Sequence, residues 1–512
     1  MSAILPWLRH PYLCPIVAIL AGSLVTFSLA PYHLWPLGMI SVGLLACLNY
    51  KTSVKHQFLI SFLYGLGLYG FGASWVFISI NEFGSTSLLL SLLLTAAFVS
   101  FLAFVFALPF LLFAKLFRHT SLIYLIGFPA VWVLNEWFRS WVLTGFPWLY
   151  LGYAHIHSPL SGWAPIFGIF GISLFTTFSA CIPLLLIMRP QFPEWSKLSF
   201  SRWSILLLLI WSTGFGLSKV SWTEQDVEAI DVGMAQGNIP QEKKWLPSFL
   251  DETYDIFSTL TEPLWALDWV IWPEAAIPLL HSYAAEDLAK LDAQASATNT
   301  VFITGILYDD RANAKYYNSI IAKGLGEGIT FKTRLVPFGE YVPLEKWLRG
   351  TIEFFNLPTS ILHIGPDRPD GLNANGLKIS PYICYEVVYP DLVAGRAKDS
   401  AVLLTVSNDA WFGQSIGPIQ HLQMVQMRAL ETQRYFIRST NNGISAFIND
   451  KGDIINQGGR ATREAIIGKV YATTGSTPFM VWRSWPVVVI CFTLLFFLWI
   501  REKKYKFTAE LP

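Results

Sequence analysis

A single cysteine in the one long polar part of this chain is the strongest candidate for chemistry. Cys384 follows a short apolar run and precedes a tyrosine and an acid, Tyr385 and Glu386. The other four cysteines all lie in apolar runs long enough to cross a membrane: Cys14, Cys47, Cys181 and Cys491. Because none of these is a ready disulfide partner, we interpret Cys384 as a free thiol and a candidate nucleophile. The alternative is an inert buried cysteine.

Two further segments supply charged groups that would complete such a site. An apolar run ends at Trp272-Pro273 and then presents Glu274, whose partly desolvated carboxylate is suited to exchanging protons; the alternative is a surface glutamate in a turn. Lys332 offers a fixed positive charge for an oxyanion, and Glu340 could hold it in place; the alternative is a solvated basic strand. Since all three groups lie at predicted strand ends, a base, a cation and a nucleophile can converge at one edge of a sheet.

The composition predicts that these groups belong to a membrane protein. Of the 512 residues, 53% are hydrophobic and only 14% are charged, compared with roughly 25% charged residues in ordinary soluble domains. The formal net charge of +1 argues against a nucleic-acid partner, which would require a concentrated basic surface.

The apolar runs predict the elements that surround the polar part. A crossing needs roughly 20 apolar residues, and eight runs qualify: 12–30, 34–50, 57–80, 87–114, 120–138, 160–188, 203–220 and 481–500. We therefore predict a membrane domain with seven transmembrane helices at 1–221, a catalytic domain at 222–480, and an eighth helix with a cytoplasmic tail at 481–512. The run after Arg9 also has some features of a cleavable signal peptide, but it exceeds the usual signal core in length.

Lysine and arginine residues in the short loops predict the orientation. One side collects most of them: Arg9, Lys51, Lys55, Lys115, Arg118, Arg189, Lys197, Arg202, Arg501, Lys503, Lys504 and Lys506. The opposite short loops offer only Arg139. If the basic side is cytoplasmic, the catalytic domain is extracytoplasmic, which is periplasmic in a bacterial inner membrane. Four aromatic residues are expected to anchor at the membrane interface, the alternative being that they select the lipid: Trp137, Trp141, Trp148 and Tyr150.

The order Glu274, Lys332, Cys384, with Trp-Pro-Glu, Leu-Val-Pro-Phe-Gly-Glu and Cys-Tyr-Glu around them, resembles the nitrilase superfamily and its Glu-Lys-Cys triad. Seven predicted spans before this domain and one after it narrow the resemblance. Together with Thr144-Gly145-Phe146-Pro147-Trp148 and Ser407-Asn408-Asp409-Ala410-Trp411-Phe412-Gly413, they make the whole chain similar to the bacterial apolipoprotein N-acyltransferases.

The resemblance implies a role for each matching residue. Cys384 would be the acylated nucleophile, Glu274 the general base, and Lys332 the stabiliser of the tetrahedral intermediate. Supporting positions are matched by Glu340, Tyr385 and Glu386, and a tryptophan of the substrate region is matched by Trp245. The chain departs from the family pattern at Ala275, where a small hydroxyl residue is common, and at Arg334, where a histidine is common.

The resemblance also implies the fold, which is a polytopic α-helical membrane arm of about eight spans plus a soluble α/β nitrilase-like domain, an α-β-β-α sandwich. The strand candidates are 229–235, 269–272, 301–307, 319–322, 379–384, 402–407, 444–448 and 465–470. Each is short and mostly apolar, as expected for strands that are covered on both faces. Segments 284–298 and 419–433 have helical spacing and would be the covering layers.

The implied reaction moves a fatty acyl group from a membrane phospholipid, through a thioester on Cys384, to the N-terminal amine of the diacylglyceryl-modified cysteine of an apolipoprotein. Its kinetics would be ping-pong. We expect no cofactor and no metal, and a monomer. One alternative is a membrane-tethered nitrilase-type amidohydrolase. The other is a non-enzymatic transporter or scaffold, which would need functional charges inside the spans.

Overall fold

The computed structural model describes residues 10–50, 52–84, 86–117, 123–188, 197–342, 361–366 and 371–509. Four basic residues of the orientation argument lie outside these ranges: Arg9, Lys51, Arg118 and Arg189. The chain forms two compact units. The first comprises Met1–Phe77, Leu92–Val220 and Trp482–Pro512, and the second comprises Ile78–Ser91 and Ser221–Val481. The predicted domain boundaries at 221 and 480 stay a prediction.

The first unit is helical. Its helices are Leu13–Ser28, Trp35–Asn49, Val54–Gly72, Leu88–Leu116, Phe128–Arg139, Ala164–Met188, Lys197–Leu217 and Trp485–Ala509. The helix Leu88–Leu116 begins in the second unit, which includes its residues up to Ser91. Local sequence explains where two of them begin. Ser53 accepts a hydrogen bond from the backbone N–H of His56 at 3.3 Å and so caps one helix, and Pro36 lies in the first turn of another, where no backbone donor is needed.

Three helices in the described part of the chain are long and apolar enough to cross a membrane. They are Leu88–Leu116, Pro159–Ile182 and Trp485–Lys504, and the pair Val54–Gly72 and Val76–Phe83 raises the number to four if it counts as one broken span. Three more helices are apolar but shorter: Leu13–Ser28, Trp35–Asn49 and Ser201–Leu217. Helices thus occupy most of the eight predicted places, but the number of crossings stays a prediction.

The expected aromatic anchoring is wrong for Trp148 and Tyr150, because both side chains are buried. They surround the guanidinium of Arg139, which donates to the backbone carbonyl of Trp148 at 3.3 Å. The same guanidinium lies 5.6 Å from the ring centre of Tyr69 and 5.4 Å from that of Tyr150. A buried cation needs such partners, so this turn packs inward around Arg139.

The second unit contains two seven-stranded sheets. The strands in chain order are β1 Thr223–Gln236, β2 Trp269–Ile271, β3 Ile277–Leu280, β4 Val301–Asp310, β5 Lys315–Gly324, β6 Gly326–Glu327, β7 Ile329–Phe331, β8 Leu372–Ala374, β9 Leu377–Ile383, β10 Val402–Ser407, β11 Phe436–Thr440, β12 Ala446–Ile448, β13 Ile454–Gln457 and β14 Glu464–Gly475. One sheet has the order β14-β1-β2-β4-β5-β7, with β3 paired to β4, and the other has the order β13-β12-β11-β10-β9-β8-β6.

The two sheets pack face to face, and helices cover their outer faces. Apolar residues of both sheets, such as Ile303 and Leu404, share one buried core. Helices Leu250–Thr261 and Ala285–Ala297 pack on the outer face of the first sheet, and Gly417–Thr432 packs on the second. The remaining helices of this unit are Val76–Phe83, Pro390–Ala397 and Pro478–Trp482. The layers are therefore helix, sheet, sheet, helix, as the resemblance implied.

Parallel pairing sets where the strand ends lie. Strands β9, β10 and β11 are parallel neighbours, so their carboxyl ends lie at the same edge of the sheet. The structure contains a strand at each of the eight predicted positions. The strand predicted at 402–407 has the predicted ends, and the others are shifted at one end or both. It also contains strands that were not predicted. One of them, β11, escaped because its buried residues Arg438, Ser439 and Thr440 look like a polar loop in the sequence.

Candidate active site

The candidate nucleophile lies in a strained turn at the end of β9. The prediction placed Cys384 in the strand, but β9 ends at Ile383 and Cys384 opens a 3-10 turn that continues to Val388. Its φ of 51° is in the left-handed region, which is unfavourable for a residue with a side chain. The Glu386 carboxylate accepts the N–H of Ile383 at 2.9 Å and so holds this turn in place. The half-buried Cys384 packs against the core that the two sheets share.

Glu274 is buried, with 7% of its surface exposed, so the surface-turn alternative is wrong. It lies three residues after β2. One carboxylate oxygen accepts from the side-chain amide of Asn318 at 2.7 Å, and the other accepts from the backbone N–H of Asn408 at 2.8 Å. Both oxygens are therefore fixed in direction, which a group that accepts a proton at one place requires.

Lys332 is also buried, with 1% exposed, so the alternative of a solvated basic strand is wrong too. Its ammonium nitrogen lies 2.7 Å from Glu340 Oε1 and 3.5 Å from Glu274 Oε1. Burial alone would lower the pKa of Lys332, but the carboxylates of Glu340 and Glu274 outweigh this effect and hold it above its ordinary value. The second Glu340 oxygen accepts the N–H of Val336 at 2.8 Å. Lys332 is thus a cation at a fixed position.

The charges of these groups act together on the Cys384 thiol. Burial is the main cause that raises the pKa of Cys384 well above its ordinary value. The carboxylate of Glu274 raises it further, while the ammonium of Lys332 lowers it. The thiol is therefore protonated at rest, and a base is needed to generate the thiolate. The structure brings Glu274, Lys332 and Cys384 to one place in the second unit.

The three predicted supporting residues lie around this place. Glu386 is fully buried, and Oε1 of its carboxylate accepts both the N–H of Thr333, at 2.8 Å, and its hydroxyl, at 2.7 Å. It therefore connects the residue after Lys332 to the turn that carries Cys384. Tyr385 follows Cys384 and packs edge to face against Tyr389, with ring centres 5.4 Å apart.

Trp245, the predicted substrate-binding residue, lies at the end of the turn that follows Pro240. It is 38% exposed, which leaves its ring accessible to a partner. Its neighbour Lys244 was not predicted. The ammonium of Lys244 donates to the backbone carbonyl of Glu274 at 2.9 Å.

Two asparagines that hold Glu274 were not predicted either. Asn318, on β5, also donates to Glu340 Oε1 at 3.3 Å and so links the two carboxylates. Asn408 follows β10, and its side chain donates to Gln241 Oε1 at 2.6 Å. A polar residue within the buried run of β5 was the available signal for Asn318. For Asn408 the contact uses the backbone N–H, which a sequence does not reveal.

A buried ionic network was also missed. Asp409 lies 3.2 Å from His421 Nδ1 and 2.5 Å from Arg438 Nη2. The other ring nitrogen of His421 lies 3.3 Å from the carbonyl oxygen of Cys384. This network therefore contacts the backbone of the turn that carries Cys384. In the described part of the chain, no group of three or more His, Cys, Asp or Glu side chains is placed to hold a metal ion.

Comparison with known proteins covers nearly the whole chain. Residues 21–182 match the apolipoprotein N-acyltransferase N-terminal domain, and residues 232–479 match the carbon-nitrogen hydrolase family. The chain is 40% identical to the apolipoprotein N-acyltransferase of Pseudomonas putida, over 96% of this chain and 97% of that protein. It is 38% identical to the protein of the same name from Coxiella burnetii, over 94% of this chain and 99% of that protein.

Among solved structures, the NitFhit protein of C. elegans aligns with 51% of this chain and 64% of its own, at a TM-score of 0.38 and 14% identity. The identities of about 40% over almost the full length, together with the two matched domains, agree with the resemblance found in the motifs. The chain belongs to the apolipoprotein N-acyltransferase family, within the nitrilase superfamily.

Proposed function

We propose that this protein transfers a fatty acyl group from a membrane phospholipid to the N-terminal amine of the lipidated cysteine of an apolipoprotein, through a thioester on Cys384. The observation that carries the proposal is the convergence of charge on Cys384. Glu274 is hydrogen-bonded at both carboxylate oxygens, Lys332 is held by two carboxylates, and both charges act on the thiol. A base, a cation and a nucleophile so arranged support acyl transfer.

The first half-reaction breaks the ester bond of the donor. Glu274 accepts the proton of the Cys384 thiol, and the thiolate attacks the ester carbonyl carbon. The negative charge that develops on the carbonyl oxygen is stabilised by the ammonium of Lys332. When the carbon–oxygen bond breaks, Glu274 returns its proton to the leaving alkoxide. Lysophospholipid departs, and the acyl group stays on the sulfur.

The second half-reaction forms an amide. The neutral α-amine of the acceptor attacks the thioester carbonyl, and the new oxyanion is again stabilised by Lys332. Glu274 accepts a proton from the attacking nitrogen and delivers it to the sulfur as the carbon–sulfur bond breaks. The free thiol is restored, and the amide product is more stable than the thioester. Because the donor product leaves before the acceptor reacts, the kinetics are ping-pong.

The membrane arm gives both lipid substrates access to the protein. We propose eight spans, seven within residues 1–221 and one within 481–512, with the catalytic domain at 222–480 on the periplasmic side of a bacterial inner membrane. The excess of lysine and arginine in the loops of the other side supports this orientation, and the exposed leucines of helix Leu88–Leu116 support contact with lipid. We propose that the protein acts as a monomer.

The decisive experiment is to trap the acyl-enzyme. Full-length protein in detergent micelles is incubated with phospholipid and digested, and the peptide that contains Cys384 is examined by mass spectrometry. We expect a fatty acyl adduct on that peptide, which disappears when a synthetic diacylglyceryl peptide with a free amine is added. The amide product should appear at the same rate.

The matched control compares two cysteine variants. Cys384→Ala should give no adduct and no transfer while the melting temperature is unchanged. Cys491→Ala, which removes a buried cysteine of a membrane helix, should keep both activities. Full transfer by Cys384→Ala would refute the proposal, and loss of the adduct to water without any acceptor would identify a hydrolase instead.

A further inference from the structure

A second buried lysine lies beside the proposed triad. Lys244 is only 4% exposed, although lysine is rarely buried without a partner. Its ammonium donates to the backbone carbonyl of Glu274 at 2.9 Å and lies 5.8 Å from the ring centre of Trp245. Both contacts favour the charged form of the side chain. Lys244 therefore places a positive charge next to the proposed base, Glu274, at its backbone and not at its carboxylate.

The preceding lysine shows that this burial is specific. Lys243 is exposed, and its ammonium lies over the ring of Phe249 at 5.3 Å. Both lysines lie in the turn that begins at Pro240, and the backbone N–H groups of both bond to the carbonyl of Pro240 at 3.0 Å. Their side chains nevertheless differ in exposure. One lysine thus faces solvent and the next faces the site.

The charges around Cys384 show what Lys244 adds. The carboxylates that act on the thiol are those of Glu274, Asp409 and Glu340. Lys332 opposes the first and third, whereas Asp409 is opposed by Arg438 and Arg460, with His421 also in contact. Because Glu274 and Glu340 share the single ammonium of Lys332, one of these two carboxylates has no cation of its own, and an unopposed carboxylate disfavours a thiolate. Lys244, on which both Glu274 and Cys384 act electrostatically, supplies a further cation at this place.

We propose that Lys244 is a positioning residue whose positive charge favours the thiolate of Cys384, while its hydrogen bond fixes the backbone of Glu274. In the ionisation concerned, the S–H bond breaks, the electron pair stays on sulfur, and the proton passes to a base in the solvent while Glu274 stays a carboxylate. Negative charge is thus added at sulfur, and Lys244 and Lys332 both stay protonated. The inference rests on the proposed function only in taking Cys384 as the nucleophile.

The protonation of Lys244 limits the pH range of this effect. Burial lowers the pKa of Lys244 to about 8, and the charges of Glu274 and Cys384 oppose this shift only in part. The cation is therefore present below about pH 8 and is lost as the pH rises further. We therefore expect Lys244 to stabilise the thiolate below about pH 8 and to lose this effect at higher pH.

The test measures the thiol directly and needs no lipid substrate. Full-length protein in detergent micelles is treated with iodoacetamide between pH 6 and 10, and the alkylation rate of the Cys384 peptide is measured by mass spectrometry. Lys244→Met removes the charge and the hydrogen bond, Lys244→Gln removes only the charge, and Lys244→Arg keeps the charge. Lys243→Met is the matched control, since it removes an exposed lysine one residue away.

We expect Lys244→Met and Lys244→Gln to slow alkylation at pH 7 about tenfold, which corresponds to a rise of one unit in the pKa of the thiol. The difference from the wild type should narrow above pH 8. Lys244→Arg and Lys243→Met should react within about threefold of the wild type, less than half a unit of thiol pKa.

The outcomes separate the possible failures. A Lys244→Gln profile that coincides with that of the wild type would overturn the role of the charge, even if Lys244→Met were slow. If Lys244→Met does not fold, as judged by its melting temperature, the role of the charge is tested by comparing the alkylation rates of Lys244→Gln and Lys244→Arg. Because alkylation does not depend on acyl transfer, a wrong acyl donor or acceptor in the proposed function would leave this result unchanged.

Discussion

At the scale of single residues, the site depends on how Lys332 is kept charged. A buried lysine without partners would lose its proton near neutral pH. Here Glu340 and Glu274 prevent this, and Glu340 is the stronger of the two influences. The residue that matters most for the cation is thus a carboxylate that touches no reacting atom in the proposed mechanism.

We therefore expect Glu340→Gln to change both the size and the pH dependence of activity. Without this carboxylate the pKa of Lys332 falls, so the cation is lost at a lower pH than in the wild type. Acyl transfer at pH 7 should fall about a hundredfold, the usual loss for one oxyanion donor, and should fall further as the pH rises to 9. The measurement is kcat/KM for acyl transfer from pH 6 to 9.

The control for this prediction is Glu327→Gln, which changes an exposed glutamate in β6. Its profile should match that of the wild type at every pH. A Glu340→Gln profile that is lower but parallel to that of the wild type would show that Glu340 acts by shape and not through the charge state of Lys332.

At the scale of elements, the site is assembled from strand ends. Cys384 follows β9 and Asn408 follows β10, and these strands are parallel neighbours. Glu274 comes shortly after β2, and Lys332 follows β7, in the other sheet. The two sheets are therefore joined at the site by side chains, and Glu386 is one of these connections.

We expect Glu386→Gln to weaken this connection and lower stability. The carboxylate accepts three hydrogen bonds, from Ile383 and Thr333, and lies 3.6 Å from Arg396. Breaking one partner of a buried ion pair costs about 3 kcal/mol. The melting temperature in detergent should fall by several degrees, and acyl transfer should fall with it because the turn of Cys384 is no longer held to Thr333.

The comparison variant is Glu228→Gln, which changes an exposed glutamate of β1. It should melt like the wild type, since exposed glutamates contribute little. An unchanged melting temperature for Glu386→Gln would mean that the turn is held by the backbone alone.

At the scale of the whole molecule, the second unit includes a segment far away in sequence. Ile78–Ser91 belongs to this unit although the rest of it starts at Ser221. Ser79 donates to the carbonyl of Trp411 at 2.7 Å, and the ring of Phe83 lies 5.2 Å from that of Trp411. Trp411 lies in the 3-10 turn Asp409–Phe412, directly after the asparagine that holds Glu274.

We expect Phe83→Ala to loosen this turn. The loss of one aromatic pair costs about 1 kcal/mol, so the melting temperature should fall slightly, whereas acyl transfer should fall several-fold because the N–H of Asn408 is less well placed. Phe101→Ala, which removes a 47% exposed ring from the apolar helix Leu88–Leu116, is the control. Equal activity of the two variants would contradict a link between this segment and Glu274.

The proposed orientation predicts the behaviour of reporter fusions. Green fluorescent protein fused to the C-terminus should fluoresce, because the tail with Lys503 and Lys504 is expected in the cytoplasm. Alkaline phosphatase fused after residue 476, before the last helix, should be active because it is exported. The reverse pattern would place the catalytic domain in the cytoplasm and refute the proposed orientation.

The sequence by itself determined the long apolar segments, the family resemblance and the three candidate groups, because each depends on local features: apolar length, motif residues and strand-end patterns. It also located strands with apolar runs such as β10. It did not find β11, whose buried polar residues serve a network. Nor did it find the strained φ of Cys384, which shows only in the turn.

Only the tertiary structure decided which distant groups surround the proposed triad. Lys244, Asn318 and Asn408 come from three elements far apart in the chain, and each reaches Glu274 through a single hydrogen bond. The burial of Trp148 and Tyr150 around Arg139 was decided in the same way. The physical reason is that burial and hydrogen-bond partners depend on which elements pack together, whereas residue type and spacing describe one segment at a time.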